Sequence, residues 1–254
     1  MTLRSDTTDG VLRLTLDRAD KKNALDQGMY RGLAAALTRA GDDPAVRVAI
    51  IDGAGDVFCA GNDIADFQSG ALKGLDGPIG DFLWAISTFP KPLIGAVHGA
   101  AVGIGVTMLL HCDLVYAAAG TKFVLPFVNL ALVPEAASTV LLPGLMGHQR
   151  AAELLFFGDR FTAEHAERVG IVNAVVPSDA LADHVDERAR ALADKPLRSL
   201  VTTKNLLKKR DWDAVHRAMK SEAEFFVAGL GAPEAREAFA AFFERRAPDF
   251  RQFS

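Results

Sequence analysis

The chain has 254 residues, half of them hydrophobic, and 28 Lys and Arg against 32 Asp and Glu give a formal net charge of −4. That length allows one large domain or one domain with an appendage, and the apolar fraction is ample for a core, which excludes a disordered chain. The mild acidity leaves no electrostatic footprint for nucleic acid or for an anionic membrane.

Met1 to Gly10 is polar and has no apolar stretch of the signal-peptide kind, so the expected location is the cytoplasm. Leu12, Leu14 and Leu16 alternate with Arg13, Thr15 and Asp17, the period of a half-buried strand. Asp26 is placed to cap a helix whose apolar face is Met29, Leu33, Ala36, Leu37 and Ala40, with Gly41 to stop it. Val46, Val48, Ile50 and Ile51 predict a more deeply buried strand, then a loop over 53–63, then helix up to Phe89. The sequence next predicts a strand over 92–97, a loop over 98–103 and a short helix over 104–111. Strands follow over 114–117 and 122–125, and helix resumes from about Glu135. Beyond Gly147 only residues 171–176 read as a strand, while 179–193, 197–209, 213–228 and 232–245 read as helices.

Residues 92–112 contain no Asp, Glu, Lys or Arg and are long enough to span a bilayer. Four glycines and two histidines within them favour a strand, a glycine loop and a helix in a soluble core. Cys59 and Cys112 lie in apolar stretches and read as reduced, buried thiols. No His/Cys/Asp cluster has metal-ligand spacing, and no Gly-x-Ser-x-Gly elbow marks a serine hydrolase.

Two glycine-bearing loops carry the chemistry. Phe58-Cys59-Ala60-Gly61-Asn62-Asp63-Ile64 follows one buried strand, and His98-Gly99-Ala100-Ala101-Val102-Gly103-Ile104-Gly105 follows the next. Each enters a helix, where backbone N–H groups are left without partners and can bind a negative oxygen. Taken singly, each loop is equally well read as a turn with tight packing. Together they can supply two convergent donors, an oxyanion hole able to stabilise a thioester enolate, in which backbone geometry matters more than side-chain identity.

These two segments resemble blocks of the crotonase superfamily, the enoyl-CoA hydratase/isomerase family. So, in order, do Asp17-Arg18 to Asn23-Ala24-Leu25, His98 to Asp113, Gly158 to Ala163, Gly170-Ile171-Val172 and the tail from Phe242 to Phe250. The resemblance implies an α/β fold, a crotonase-like spiral of ββα units over about 1–195, followed by a C-terminal helical trimerisation region over 196–254. It implies a homotrimer or a hexamer of two trimers, and an acyl-CoA substrate whose CoA is part of the substrate rather than a separate cofactor. By the same resemblance, the N–H groups of Asn62 and Ile104 hold the thioester oxygen, and Ala60, Gly103 and Phe127 lie against the substrate. Lys21 and Lys22 approach the CoA phosphates, and Arg245 approaches CoA of a neighbouring subunit. A lysine that the family carries after the first loop is replaced here by Ala65 and Asp66.

The two glutamates of the hydratases correspond to Thr107 and Phe127, neither of which is a carboxylate. Val133-Pro134-Glu135 supplies a carboxylate instead, and read alone it is a routine helix start. With Gly-Ile-Gly-Val-Thr upstream it is similar to the peroxisomal-type Δ3,Δ2-enoyl-CoA isomerases, which implies that Glu135 is a single base moving a proton from C2 to C4. The competing expectations are hydratase or other crotonase-type lyase or hydrolase chemistry, and a non-catalytic acyl-CoA-binding protein. Retention of Glu135 argues against the latter.

Overall fold

The computed structural model of the protein describes residues 2–64, 66 and 74–253. Strands β1 (Leu3–Thr8), β2 (Val11–Leu16), β3 (Val48–Gly53), β4 (Leu93–Val97), β6 (Leu114–Ala118) and β9 (Ala174–Val176) form a six-stranded sheet in the order β1-β2-β3-β4-β6-β9. Only the β1–β2 pair is antiparallel; every other pair in this sheet is parallel. A second sheet is made of β5 (Ala100–Val102), β7 (Lys122–Val124) and β8 (Phe161–Thr162).

From β4 to β7 consecutive strands alternate between the sheets. After β4 in the large sheet the chain enters β5 in the small one, and after β6 it enters β7. Cys59, beyond β3, makes a parallel bridge to Ala101, so the segment after β3 approaches the small sheet in the same way. This stepwise repetition is the ββα spiral implied by the resemblance.

Helix α1 (Gln27–Asp42) begins where the sequence places it, with the Asp26 carboxylate accepting the Met29 N–H at 2.8 Å. Gly41 does not stop it; the helix continues to Asp42. Helix α2 (Pro78–Thr88) packs against α1; the earlier part of the helix expected before Phe89 lies largely outside the described residues, as does Ala65. The uncharged run 92–112 resolves into β4, β5, the single-turn helix α3 (Ile104–Thr107) and a 3-10 turn over Met108–His111. Among the described residues no helix is long and apolar enough to cross a membrane.

Helices α4 (Ser138–Met146), α5 (His148–Phe157) and α6 (Ala163–Arg168) lead to β9. Then come α7 (Leu181–Ala193), α8 (Leu197–Lys209), α9 (Trp212–Leu230) and α10 (Pro233–Glu244), close to the expected spans. Both cysteines are free.

Five local expectations are corrected. The polar segment before Gly10 contains β1, an edge strand whose side chains are mostly exposed, so hydrophobic alternation could not reveal it. Residues 100–102 form a strand rather than part of a loop, and 161–162 form a strand that the pattern did not signal. Of the segment 171–176 only 174–176 is paired as a strand. Most consequential, helix does not resume at Glu135: Ala136 and Ala137 adopt left-handed φ of 61° and 58°, and α4 starts at Ser138.

Candidate active site

The Asp17-Arg18 to Leu25 block builds the first loop. Asn23 is fully buried; its Nδ2 donates to Ala54 O at 2.7 Å and Val57 O at 2.8 Å, and its Oδ1 accepts the Arg18 N–H at 2.9 Å. The Arg18 guanidinium donates to Asp63 Oδ2 at 2.7 Å and Ala24 O at 3.1 Å. Leu25 then pairs with the loop itself, donating to Gly61 O and accepting the Asp63 N–H. That pairing uses the groups on either side of the Asn62 N–H and turns the latter the opposite way.

In the second loop Gly103 N donates to Val124 O, and the next N–H is that of Ile104, the first residue of α3. Among the described residues neither the Asn62 N–H nor the Ile104 N–H has a backbone acceptor. The two loops are held close by glycine. A Cβ at Gly105 would lie 2.9 Å from both Cβ and O of Cys59, so α3 could not seat against the first loop with any larger residue there.

Ala60, Asn62, Gly103, Phe127 and Glu135, five of the residues expected at the site, line one cavity of about 420 Å³. The Ile104 side chain is buried in the core and only its backbone belongs here. Lys21, Lys22 and Arg245 are exposed and are not among the cavity's lining residues; Arg160 and Arg246 are. Lys22 nevertheless touches the site through its backbone, whose carbonyl accepts the Ala60 N–H. Arg246 is paired with Glu237 and Glu244. Thr107 and Phe127 are both buried.

Glu135, 7% exposed, also lines a second, smaller space of about 30 Å³. Burial, reinforced by the negative charge of Glu222, pushes its carboxyl up to about 8, against a hydrogen bond from Asn62 that pulls it down. A buried carboxyl that ionises near neutrality is the property a proton-transferring group needs.

Asn62 was expected to act through its backbone alone, and here the structure corrects the sequence reading. Its Nδ2 lies 3.4 Å from Glu135 Oε1, and its Oδ1 accepts a hydrogen bond from the buried Tyr30 hydroxyl on α1, which fixes the amide's orientation. Since Asn62 favours the ionised carboxyl, Asn62→Ala is expected to raise the pH at which Glu135 ionises and to lower turnover at neutral pH about tenfold. A pH–rate profile of Asn62→Ala that overlays the wild type would contradict this.

The carboxylate of Glu222, on α9, escaped the sequence reading altogether. The signal was present: Met219, Glu222 and Phe226 share the buried stripe of α9, so an acidic residue occupies a core-facing position. Its oxygens accept from the Ala137 N–H at 2.6 Å, the Thr139 N–H at 3.0 Å and Thr139 Oγ1 at 2.5 Å. His111 is a satisfied core histidine: it is 3% exposed, burial pushes it down to about 4, and its neutral ring donates through Nε2 to Ala136 O at 2.8 Å. His98 instead is half-buried and bonds Gly55 O at 2.8 Å.

The enoyl-CoA hydratase/isomerase family model matches residues 6–253. The chain is 34% identical over 244 residues to enoyl-CoA delta isomerase 2 of Rattus norvegicus, covering 93% of this chain but 62% of that longer protein. It is 32% identical to 2,3-dehydroadipyl-CoA hydratase of Escherichia coli, covering 95% of each chain. The solved structure of Pseudomonas aeruginosa OdaA superimposes with a TM-score of 0.94 at 42% identity, over 96% of this chain and 99% of that one.

Proposed function

This chain belongs to the enoyl-CoA hydratase/isomerase family, and from that premise we propose that it is a Δ3,Δ2-enoyl-CoA isomerase with Glu135 as its single base. The observation that carries the reading is a buried carboxyl at Glu135, in the same cavity as Asn62 and Gly103, while the two hydratase positions hold Thr107 and Phe127.

The thioester oxygen of a 3-enoyl-CoA accepts hydrogen bonds from the Asn62 and Ile104 N–H groups. Charge that develops on this oxygen is stabilised by donors already in place. The Glu135 carboxylate removes a proton from C2, giving a dienolate conjugated through C4, and returns that proton to C4. The product is the 2-enoyl-CoA, with no net gain or loss of atoms and no other group required. Phe127 makes the cavity wall drier, which suits proton return and disfavours attack by water. Glu222 offers hydration no second catalytic carboxylate, because both of its oxygens are engaged by the start of α4.

Incubating the purified protein separately with 3-enoyl-CoA and 2-enoyl-CoA and identifying the products tests the reading. The first is expected to give 2-enoyl-CoA rapidly and the second only traces of 3-hydroxyacyl-CoA; rapid hydration would overturn it. Because the base must be ionised, kcat/KM should rise with pH through about 8 and then level off, the limb reporting the free enzyme. A profile flat between pH 6 and about 9 would assign the proton transfer to another group.

The proposed assembly is a homotrimer or a hexamer. Phe226 and Phe239 are buried within the subunit. Phe225, Phe242 and Phe243 remain more than half exposed and Phe250 is 36% exposed, an apolar surface that association would cover. Light scattering at micromolar concentration should give a multiple of three subunits; a monomer would contradict the assembly.

A further inference from the structure

Glu135 stands on a turn that a free chain would not hold. Ala136 and Ala137 are both left-handed, a conformation that is unfavourable for a residue with a Cβ. Two buried side chains from elsewhere fasten it. His111 donates to Ala136 O, and Glu222 accepts from Ala137 N and from both donors of Thr139.

Glu222 is 6% exposed and lines the same small space as Glu135. Three donors on two oxygens is the environment of an ionised carboxylate, whereas Glu135 has one long contact from Asn62. Two carboxyls around one dry space do not readily ionise together. Burial raises Glu222 as well, but the hydrogen bonds from Thr139 and Ala137 pull it down, and this difference in donors assigns the charge to Glu222 and the proton to Glu135. Among the other titratable groups, burial raises both Tyr30 and Cys59 and His111 is neutral, while the charged Arg160 and Arg246 share the larger cavity with Glu135, Arg246 being paired with Glu237 and Glu244.

We propose that Glu222 is a positioning residue for Glu135, a fixed carboxylate that anchors the Glu135 turn and governs, by its charge, how tightly Glu135 holds a proton. The proposal rests on the reading of Glu135 as the base. It goes beyond that reading by assigning a task to a residue that touches no reacting atom.

The test is a 13Cδ-glutamate NMR titration of the full chain without substrate, with the Glu135 signal identified by its loss in Glu135→Gln. Glu222→Gln is expected to lower the Glu135 midpoint by about one pH unit or more, a tenfold weaker hold on the proton. Glu222→Asp, which keeps the charge, should lower it far less. Equal midpoints in wild type and Glu222→Gln would overturn the proposal, as would equal displacements in the Gln and Asp variants, the mark of a purely structural role. Should Glu222→Gln not fold, Glu222→Ala leaves room for water to reach Ala137 and Thr139 and is expected to lower the midpoint likewise. A wild-type Glu135 midpoint near the ordinary glutamate value would overturn the proposal without any variant. Because the titration needs no turnover, its failure leaves the isomerase assay standing. A protein that shows the coupling but does not isomerise 3-enoyl-CoA would overturn the base assignment, not the coupling.

Discussion

Glu135→Gln is expected to lower isomerase turnover by about 10²–10⁴-fold, the usual contribution of a positioned acid–base group, while making the fold more stable at alkaline pH. The two effects share one cause. Glutamine keeps the shape and cannot take a proton from C2. It also cannot become a buried anion. The folded-state value of Glu135, about 8, lies above the ordinary 4.5, so the folded protein holds this proton more tightly than the unfolded chain. The resulting stabilisation is complete below about pH 4.5 and is lost as the pH rises through about 8. At about 1.4 kcal/mol for each tenfold change in proton affinity, the loss is at most about 5 kcal/mol. Thermal unfolding should therefore show Tm of Glu135→Gln several degrees above wild type near pH 9, with little or no gain at pH 5. An active and no more stable Glu135→Gln would remove Glu135 from the centre of the account. Substrate binding, carried by the loops and the outer cavity, should survive the substitution.

Gly103→Val should be the most damaging change outside Glu135. Gly103 has φ of 53° and ψ of −117°, a backbone conformation open to glycine and strained for any residue with a branched Cβ. A Cβ built there meets nothing within 4 Å, so the side chain would not clash with protein; it would project into unfilled space beside the cavity that Gly103 lines. Valine would thus displace the Ile104 N–H through backbone strain and occupy room the thioester needs. Losing one oxyanion donor costs about 10²–10³-fold in kcat, and the blocked approach adds to it. The expected result is folded protein by circular dichroism with turnover down by that factor or more. Near-normal kinetics would mean that the second loop does not hold the oxygen.

Much of the fold was legible because its signals are local. Asp26 capping α1, the buried run of β3, and the helices of the last third follow from capping and periodicity. The residues of the two loops were legible as a pair because glycine-bearing turns after buried strands leave N–H groups unpartnered. What could not be read is whatever depends on distant chain. The left-handed Ala136 and Ala137 are set by His111 and Glu222, from the turn after α3 and from α9, so Pro134-Glu135 imitated a helix start that the tertiary contacts forbid. The Asn62 amide joins Tyr30 to Glu135 across three elements, invisible to any local pattern. Lys204 is similar. It is the one residue of α8 buried in this chain, and it pairs with Asp113 at 2.6 Å, a contact no helical periodicity could announce.

The central claim is that one carboxylate removes the proton at C2 and returns it at C4, and a labelled substrate tests it most directly. A 3-enoyl-CoA carrying deuterium at both C2 positions is turned over once, in excess enzyme and ordinary water, and the 2-enoyl-CoA product is analysed for the position of the label. Glu135 is 7% exposed, so the deuteron it takes should return to carbon before it is exchanged with solvent. The account predicts one deuterium left at C2 and a substantial fraction of product with the other at C4. A product with no deuterium at C4, even at the earliest times, would contradict a single shuttling base and require separate groups for the two proton transfers.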